Sequence, residues 1–230
     1  MVPVVQLVRA SDCGSECRGF ESHRAPCKSP ESLCFQDFFR LYPYNTTTIP
    51  PKIPPIIPFP SSLKTLFDNM KTSQPTSLLF VCLGNICRSP AAEGIMQHIV
   101  DAANLSDKFR IDSAGIGPWH VGNLPDPRMR SHGADHGYDF STRARQICYD
   151  DFSRFDYILV MDRENYHELM SMAHTEQDRQ KVHMMADFAT HHPGHTVVPD
   201  PYYGGDRGFE LVIELLEDAC QGLLKHISEE

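Results

Sequence analysis

The sequence predicts an α/β fold with a four-stranded parallel sheet and helices on both faces. From residue 77 onward, short apolar runs typical of buried parallel strands alternate with segments of helical period. Strands that alternate with helices are joined by right-handed crossovers, which place helices on both sides of the sheet. The 230 residues, 41% of them hydrophobic, are enough for one such domain.

The strands are assigned to the apolar runs at residues 78–81, 109–113, 157–161 and 182–185. The helices are assigned to residues 90–103, where Pro90 can be the first helical residue, and to residues 127–137, 164–172 and 209–226. In the last helix, four leucines are expected on the inner side: Leu211, Leu215, Leu216 and Leu223. Ligands of such sheets bind at the carboxyl ends of the strands, so the segment after the first strand is a candidate site.

Residues 1–74 differ from the rest and are predicted to be a disordered or linker extension of a domain at residues 75–230. Six prolines lie between positions 50 and 60, and proline blocks both helices and central strands. Residues 1–27 can be back-translated, in order, into the D-arm, anticodon arm and T-loop of a transfer RNA. We therefore hypothesise that these residues are a translated tRNA gene, which a search of the coding DNA would test.

Composition excludes several classes of protein. A formal charge of −9 disfavours nucleic-acid binding, and no apolar run approaches the roughly 20 residues of a membrane span. No signal peptide is visible, so we expect a cytoplasmic protein whose eight cysteines are reduced. No Cys-x-x-Cys pair is present, and His191, His192 and His195 are interpreted as a loop cluster, not as zinc ligands. We expect neither a metal nor a cofactor.

A cysteine followed six positions later by an arginine is the minimum for cysteine-based phosphate chemistry. This spacing occurs three times, at Cys34 and Arg40, Cys82 and Arg88, and Cys148 and Arg154. The first and third segments contain aspartates that would repel a phosphate. Only the second contains a glycine, Gly84, and lies between a predicted strand and a predicted helix. The sequence therefore predicts a phosphate-binding loop after the first strand.

In this setting the loop amides can converge on one anion; the loop residues are Leu83, Gly84, Asn85, Ile86 and Cys87. Arg88 supplies a planar fork that matches two phosphate oxygens. The amides, the helix dipole and Arg88 should together stabilise a thiolate on Cys82, the predicted nucleophile. Ser89 can donate a hydrogen bond to that sulfur, and Asn85 can adopt the left-handed conformation that such a loop requires.

Residues 81–90, Val-Cys-Leu-Gly-Asn-Ile-Cys-Arg-Ser-Pro, resemble the signature of the low-molecular-weight protein tyrosine phosphatases. The similarity covers about residues 76–227 and continues through the segments at residues 112–114, 143–147, 155–158, 161–162 and 200–204. It implies a hydrolase that removes phosphate from a tyrosine-phosphorylated protein through a cysteinyl-phosphate intermediate. A bacterial tyrosine kinase is a candidate partner, and we expect a monomer.

The resemblance also implies a role for Asp200, as the general acid that protonates the leaving phenolate and then activates water. Asp200 precedes Pro201 in a predicted turn, so a purely turn-forming role is the alternative. Among vertebrate-type members a histidine that supports the loop precedes the segment at 143–147, and the nearest match here is Thr142. This departure puts the hydrogen bonds behind the loop in doubt.

Further implied roles concern the rim of the site and its redox chemistry. Tyr202 and Tyr203 would form one wall of the pocket, and Trp119 the opposite rim, although a structural tryptophan is equally compatible. Cys87 would form a reversible disulfide with Cys82, or else pack within the loop as a thiol.

Three alternative functions remain on this fold. An arsenate reductase would need extra relay cysteines, and Cys148 has no close partner in the sequence. A protein-arginine phosphatase resembles this family but carries threonine where Ile86 stands. A non-catalytic phosphotyrosine-binding module would lack Cys82 or Asp200.

Overall fold

The sheet of this protein has four parallel strands in the order β2-β1-β3-β4. The computed structural model describes residues 74–229. Its strands are β1 (Thr76–Cys82), β2 (Phe109–Gly115), β3 (Tyr157–Val160) and β4 (Val182–Met184). The predicted four-stranded parallel sheet is therefore confirmed. The proposed linker, the tRNA-like segment and the motif at Cys34 lie outside the described residues.

Helices connect the strands and close the domain. The α-helices are α1 (Arg88–Ala102), α2 (Pro127–Asp135), α3 (Asp151–Arg154), α4 (Arg163–Met172), α5 (Glu176–Gln180) and α6 (Asp206–Glu229). Helix α1 begins at Arg88, two residues before the predicted start at Pro90, so Pro90 lies in its first turn. Proline is tolerated there because the first-turn amides of a helix have no intrahelical acceptor. The short helix α3 lies in the segment at residues 148–154, for which the sequence predicts part of a helix, whereas α5 was not predicted, since five residues do not establish a period.

Alternate residues of β1 face two separate hydrophobic cores. Leu78 and Phe80 lie in the core formed with α1 and α6, whereas Leu79 and Val81 lie in the core with α3 and α4. The sheet is covered on both faces, which explains why its strands are continuous apolar runs. In the described part of the chain, no helix is long and apolar enough to cross a membrane.

Helix α6 packs along α1 and closes the first core. Leu215, Leu216 and Leu223 are buried there, as predicted. The prediction for Leu211 is wrong: its side chain is only half-buried, and Val212 faces the core instead. A residue next to the buried row is rotated by about 100° around a helix, so Leu211 falls at the edge of the apolar face.

The two central strands place the candidate site. β1 lies between β2 and β3 and ends at Cys82, so the loop that follows it emerges at the middle of the carboxyl edge of the sheet. β3 ends beside it, which brings Asp162 to the same edge. This is the position at which parallel α/β sheets bind ligands.

Candidate active site

The loop between β1 and α1 turns its carbonyl groups away from its centre. The carbonyl of Leu83 accepts a hydrogen bond from the Gly117 amide at 2.9 Å, and the carbonyl of Ile86 accepts one from the Asp126 amide at 2.8 Å. Asn85 has a φ of 54°, in the left-handed region that asparagine tolerates better than most residues. These constraints curl the chain so that its amides are left on the inner side.

The inner amides are available to an anion. In the described part of the chain, the N–H groups of Leu83, Gly84, Ile86 and Cys87 donate to no protein acceptor. The N-terminus of α1, a helix of 15 residues, follows directly and adds its partial positive charge. A ring of unpaired amides at a helix N-terminus is a site for a phosphate group.

The sulfur of Cys82, at the start of this loop, has two hydrogen-bond partners. It accepts from the Asn85 amide at 3.3 Å and lies 3.1 Å from the hydroxyl of Ser89. The side-chain amide of Asn85 donates to the Ser89 oxygen at 2.9 Å. The single hydroxyl proton of Ser89 can therefore go to the Cys82 sulfur or to the Ala114 carbonyl, 3.2 Å away.

A buried network behind the loop fixes the side chain of Asn85. Its Nδ2 donates to the Ser113 hydroxyl at 2.8 Å, and its Oδ1 accepts from the Arg145 amide at 2.9 Å. Ser113 donates in turn to Glu93 at 2.6 Å, and Thr142 donates to the same Glu93 oxygen at 3.0 Å. The hydrogen bonds behind the loop, which Thr142 put in doubt, are therefore present, and the Glu93 carboxylate joins Thr142 to them. Burial raises the pKa of Glu93, against the hydrogen bonds from Ser113 and Thr142.

Arg88 lies under the mouth of the loop and is 2% exposed. Its Nη1 donates to Asp162 at 2.5 Å and to the Val198 carbonyl at 3.3 Å, while its Nη2 donates to Asp200 at 2.7 Å. Burial alone would lower the pKa of Arg88, but the negative charges of Cys82, Asp200 and Asp162 outweigh burial and raise it. The guanidinium therefore stays charged in a site from which water is largely excluded.

Sequence reasoning gave no role to Asp162. It caps α4 by accepting from the Asn165 amide through Oδ1, and it holds Arg88 through Oδ2. The signal that could have found it is its position: an acid that directly follows a buried strand at the same sheet edge as Cys82.

The site opens into a cavity of about 250 Å³. Its lining residues are Cys82, Leu83, Gly84, Ile86, Cys87, Arg88, Trp119, His120, Asp200, Tyr202 and Tyr203. Every predicted site residue therefore lines the cavity except Asn85 and Ser89, which are buried and contact the Cys82 sulfur. Trp119 is 66% and Tyr203 98% exposed, as expected for a rim.

His120 also lines the cavity and was missed by sequence analysis. A Cβ atom on Gly84 would lie 3.0 Å from the Cδ2 of His120, so a larger residue at this point requires the His120 ring to shift. Nothing in the local pattern marks His120, because its approach to the loop depends on how the segment after β2 folds back.

The remaining cysteines are in contrasting surroundings. Cys87 is buried, and its pKa is raised first by burial and then by the charge of Asp126. Cys220 is buried in the core, whereas Cys148 is exposed. The neighbouring helix α3 places Asp151 inside, paired with Arg145, where its carboxylate would repel an anion at the Cys148–Arg154 motif.

The histidines at residues 191–195 surround a buried carboxylate. Asp218 accepts from the amides of Thr190, His191 and His192 and from the ring nitrogens of both histidines. These hydrogen bonds account for the cluster as an anchor between a loop and α6.

Comparison with known proteins identifies this arrangement. A family model described as low molecular weight phosphotyrosine protein phosphatase matches residues 77–230. A Synechocystis protein described as a candidate low molecular weight protein-tyrosine-phosphatase is 51% identical over 153 residues, which is 66% of this chain and 97% of that protein. A low molecular weight protein-tyrosine-phosphatase of Streptomyces coelicolor is 43% identical over 66% of this chain and 93% of its own length.

A solved structure supports the same conclusion. The crystal structure of a protein tyrosine phosphatase from Entamoeba histolytica, with Hepes in its active site, superposes with a TM-score of 0.65 at 47% identity. The match covers 67% of this chain and 97% of that one. The chain therefore belongs to the low molecular weight phosphotyrosine protein phosphatase family.

Proposed function

We propose that this protein hydrolyses phosphotyrosine in protein substrates, with Cys82 as the nucleophile. One observation carries the proposal: Cys82 lines one cavity with Arg88 and Asp200, and the loop that follows it has amides without a protein acceptor in the described part of the chain. A nucleophile, an anion site and an acid are the parts that hydrolysis of a phosphate monoester through a covalent intermediate needs.

Phosphate binding would rearrange the contacts of Arg88. In the described part of the chain its Nε–H makes no hydrogen bond, and its Nη2 holds Asp200. A phosphate on the Nε–Nη2 edge gains a bidentate pair and displaces the Asp200 carboxylate. Asp162 keeps its hold on Nη1, so the guanidinium does not turn as the ligands exchange.

The first chemical step then forms the phosphoenzyme. Once released from Arg88, the Asp200 carboxylate takes up the proton that Cys82 loses on ionising. The Cys82 thiolate attacks phosphorus, the bond from phosphorus to the tyrosine oxygen breaks, and Asp200 gives this proton to that oxygen. The loop amides and Arg88 stabilise the charge on the phosphoryl oxygens in the transition state. The leaving group departs as a neutral phenol.

The second step reverses the role of Asp200. Its carboxylate takes a proton from a water molecule, whose oxygen attacks phosphorus while the sulfur–phosphorus bond breaks. The hydroxyl of Ser89 lies 3.1 Å from the sulfur and can donate to the departing thiolate. Inorganic phosphate is released, free Cys82 is regenerated, and the two steps use no cofactor.

The walls of the cavity favour an aromatic phosphate. Tyr202 and Trp119 lie on its rim with Leu83, which offers apolar surface to a phenyl ring. Ile86 adds an apolar side chain at the position where arginine phosphatases resemble this family but carry threonine. These contacts support phosphotyrosine over phosphoarginine.

The finer parts of the proposal concern setting and regulation. The described cysteines are free thiols, and the chemistry needs Cys82 reduced, which suits a cytoplasmic monomer. We propose a bacterial tyrosine kinase as a partner and a reversible Cys82–Cys87 disulfide as protection against over-oxidation. Mass spectrometry of the peroxide-treated chain tests the disulfide.

The decisive experiment assays the full chain on matched peptides that carry phosphotyrosine, phosphoarginine or phosphoserine, and on arsenate. We expect turnover of phosphotyrosine, its loss in Cys82→Ser, and in Asp200→Asn a fall of about 10²–10⁴ in turnover with aryl phosphate binding kept. Cys148→Ser, which removes the cysteine of the Cys148–Arg154 motif, is the control and should keep full activity. Turnover that survives in Cys82→Ser would refute the proposed nucleophile.

A further inference from the structure

Arg128, in the first turn of α2, contacts the segment that carries the proposed general acid. Its Nη1 donates to the main-chain carbonyl of Tyr202 at 3.1 Å. Its guanidinium carbon lies 5.3 Å from the centre of the Tyr202 ring and 4.8 Å from that of Phe209, the fourth residue of α6. The arginine thus contacts both the turn after Asp200 and the helix that follows it.

Asp126 ties the other side of Arg128 to the phosphate-binding loop. Its carboxylate accepts from the Arg128 main-chain amide at 2.9 Å, from Nε at 3.0 Å and from Nη2 at 2.8 Å. Its own amide donates to the Ile86 carbonyl at 2.8 Å. Because Asp126 is nearly buried and binds the Nε–Nη2 edge of the guanidinium through both carboxylate oxygens, the fork has one orientation. A continuous set of contacts therefore runs from Ile86 through Asp126 and Arg128 to Tyr202.

This connection matters because Asp200 has few other anchors. In the described residues its carboxylate has two partners: Arg88 Nη2 at 2.7 Å and the Tyr202 amide at 3.0 Å. A phosphate that binds the Nε–Nη2 edge of Arg88 takes the first partner away. What then holds the carboxyl group near the leaving oxygen is the turn through Tyr202, and that turn is held by Arg128.

We propose that Arg128 is a positioning residue for the general acid. By fixing the Tyr202 main chain relative to the phosphate-binding loop, it keeps Asp200 within reach of the leaving oxygen once the substrate occupies Arg88. The inference rests on the proposed function and adds to it a residue outside the cavity lining, which acts through Tyr202 and touches neither the phosphate nor the reacting atoms.

The geometry requires a guanidinium. Three of its nitrogens donate to two partners in one plane while its faces meet two aromatic rings, which a single ammonium cannot reproduce. Arg128→Lys keeps the charge and most of the stem, and Arg128→Met keeps only the apolar stem. Arg130→Met is the matched control, since Arg130 lies on the same helix and is exposed, with no side-chain hydrogen bond in the described part of the chain.

The experiment measures kcat/KM for aryl phosphates whose phenols span a wide range of acidity. A poorly acidic phenol needs a proton to leave, whereas a strongly acidic one leaves unaided. In Arg128→Met, kcat/KM should fall by about tenfold or more with poor leaving groups and by less than about threefold with good ones. The larger fall is a small share of the roughly 10²–10⁴ in rate that a general acid supplies. Arg128→Lys should show the same trend, and Arg130→Met should match the wild type throughout.

A double-mutant cycle with Asp200→Asn shows whether Arg128 acts through Asp200. In the Asp200→Asn background, Arg128→Met should cause no further loss with poor leaving groups. An equal loss for all leaving groups, or a loss that adds in full to that of Asp200→Asn, would overturn the inference. If circular dichroism shows that Arg128→Met does not fold, the same measurements on Arg128→Lys test the inference.

The two levels of proposal can fail separately. A wild-type chain without phosphatase activity, or an active Cys82→Ser variant, would refute the proposed function itself. A wild type that is active and depends on Asp200, combined with Arg128 variants that lose activity evenly, would refute only the positioning role.

Discussion

Replacing Arg88 by lysine tests whether the fork of the guanidinium, and not its charge alone, supports catalysis. Arg88 is 2% exposed and donates through Nη1 and Nη2 to Asp162 and Asp200. A lysine keeps a positive charge between these carboxylates, so the site stays neutralised and the fold should persist. It can supply neither the bidentate contact to phosphate nor, at the same time, the hold on Asp162.

The expected loss follows from the hydrogen bonds removed. One of two bonds to the phosphoryl oxygens and the orienting bond to Asp162 disappear, and each charge-assisted bond contributes roughly 1.5–3 kcal/mol. Two such bonds amount to about 3–6 kcal/mol, or roughly 10²–10⁴ in kcat/KM, since about 1.4 kcal/mol corresponds to a factor of ten. The loss should also appear in the binding of phosphate analogues such as vanadate.

The assay is steady-state hydrolysis of a phosphotyrosine peptide, together with vanadate inhibition and thermal unfolding. Arg154→Lys is the matched control, because Arg154 follows Cys148 at the same spacing, its side chain is 56% exposed, and it forms no part of the cavity. A kcat/KM of Arg88→Lys within tenfold of the wild type, with unchanged melting temperature, would show that a point charge suffices and that the geometric reasoning is wrong.

Three further predictions concern residues around the site and in the core. Asp218→Ala should lower the free energy of unfolding at pH 7 by about 2–4 kcal/mol, because several hydrogen bonds to a buried carboxylate are lost. Burial opposes ionisation of Asp218, but the hydrogen bonds, chiefly that from His191, outweigh it and lower the pKa of Asp218. The stabilisation is therefore present above about pH 4. In urea unfolding, the difference in stability between wild type and Asp218→Ala should shrink on acidification. The pKa of Glu93 is raised by burial, so the wild type should lose stability relative to Glu93→Gln as the pH rises from about 4 to 7, and a constant difference would contradict this. In Gly222→Ala the new Cβ would lie 1.8 Å from the Phe188 carbonyl oxygen, and calorimetry should show a loss of about 1–3 kcal/mol, with Gly205→Ala as an unhindered control.

Local sequence patterns predicted the sheet and the loop well because local physical chemistry decides both. The run around Leu79 is apolar at every position because both faces of β1 are covered, and this can be read without knowing the partners. The turn needs a left-handed backbone conformation at Asn85, and asparagine is a residue type that tolerates it and that marks the sequence. Prediction failed where the helical pattern was too short, as in α5, and where the helix face was too evenly apolar, as around Leu211.

The partners of the loop were not predictable in this way. Arg88 meets Asp162 and Asp200 across 74 and 112 residues, and Glu93 meets Thr142 across 49. Any of the 30 acidic residues could have filled these places on sequence grounds alone. The resemblance to a family pointed to Asp200, but it gave no role to Asp162, His120 or Glu93.

The sequence by itself therefore determined the nucleophilic loop: a strand end, an acid-free turn with Gly84 and Asn85, and Arg88 at the start of a helix. These features depend on backbone sterics and on charges within a few residues, which act before the chain has folded. Only the tertiary structure decided which charges surround the loop and how Arg128 connects Asp126 to Tyr202. Such contacts form when parallel strands from distant parts of the chain align their carboxyl ends, and no local pattern encodes that alignment.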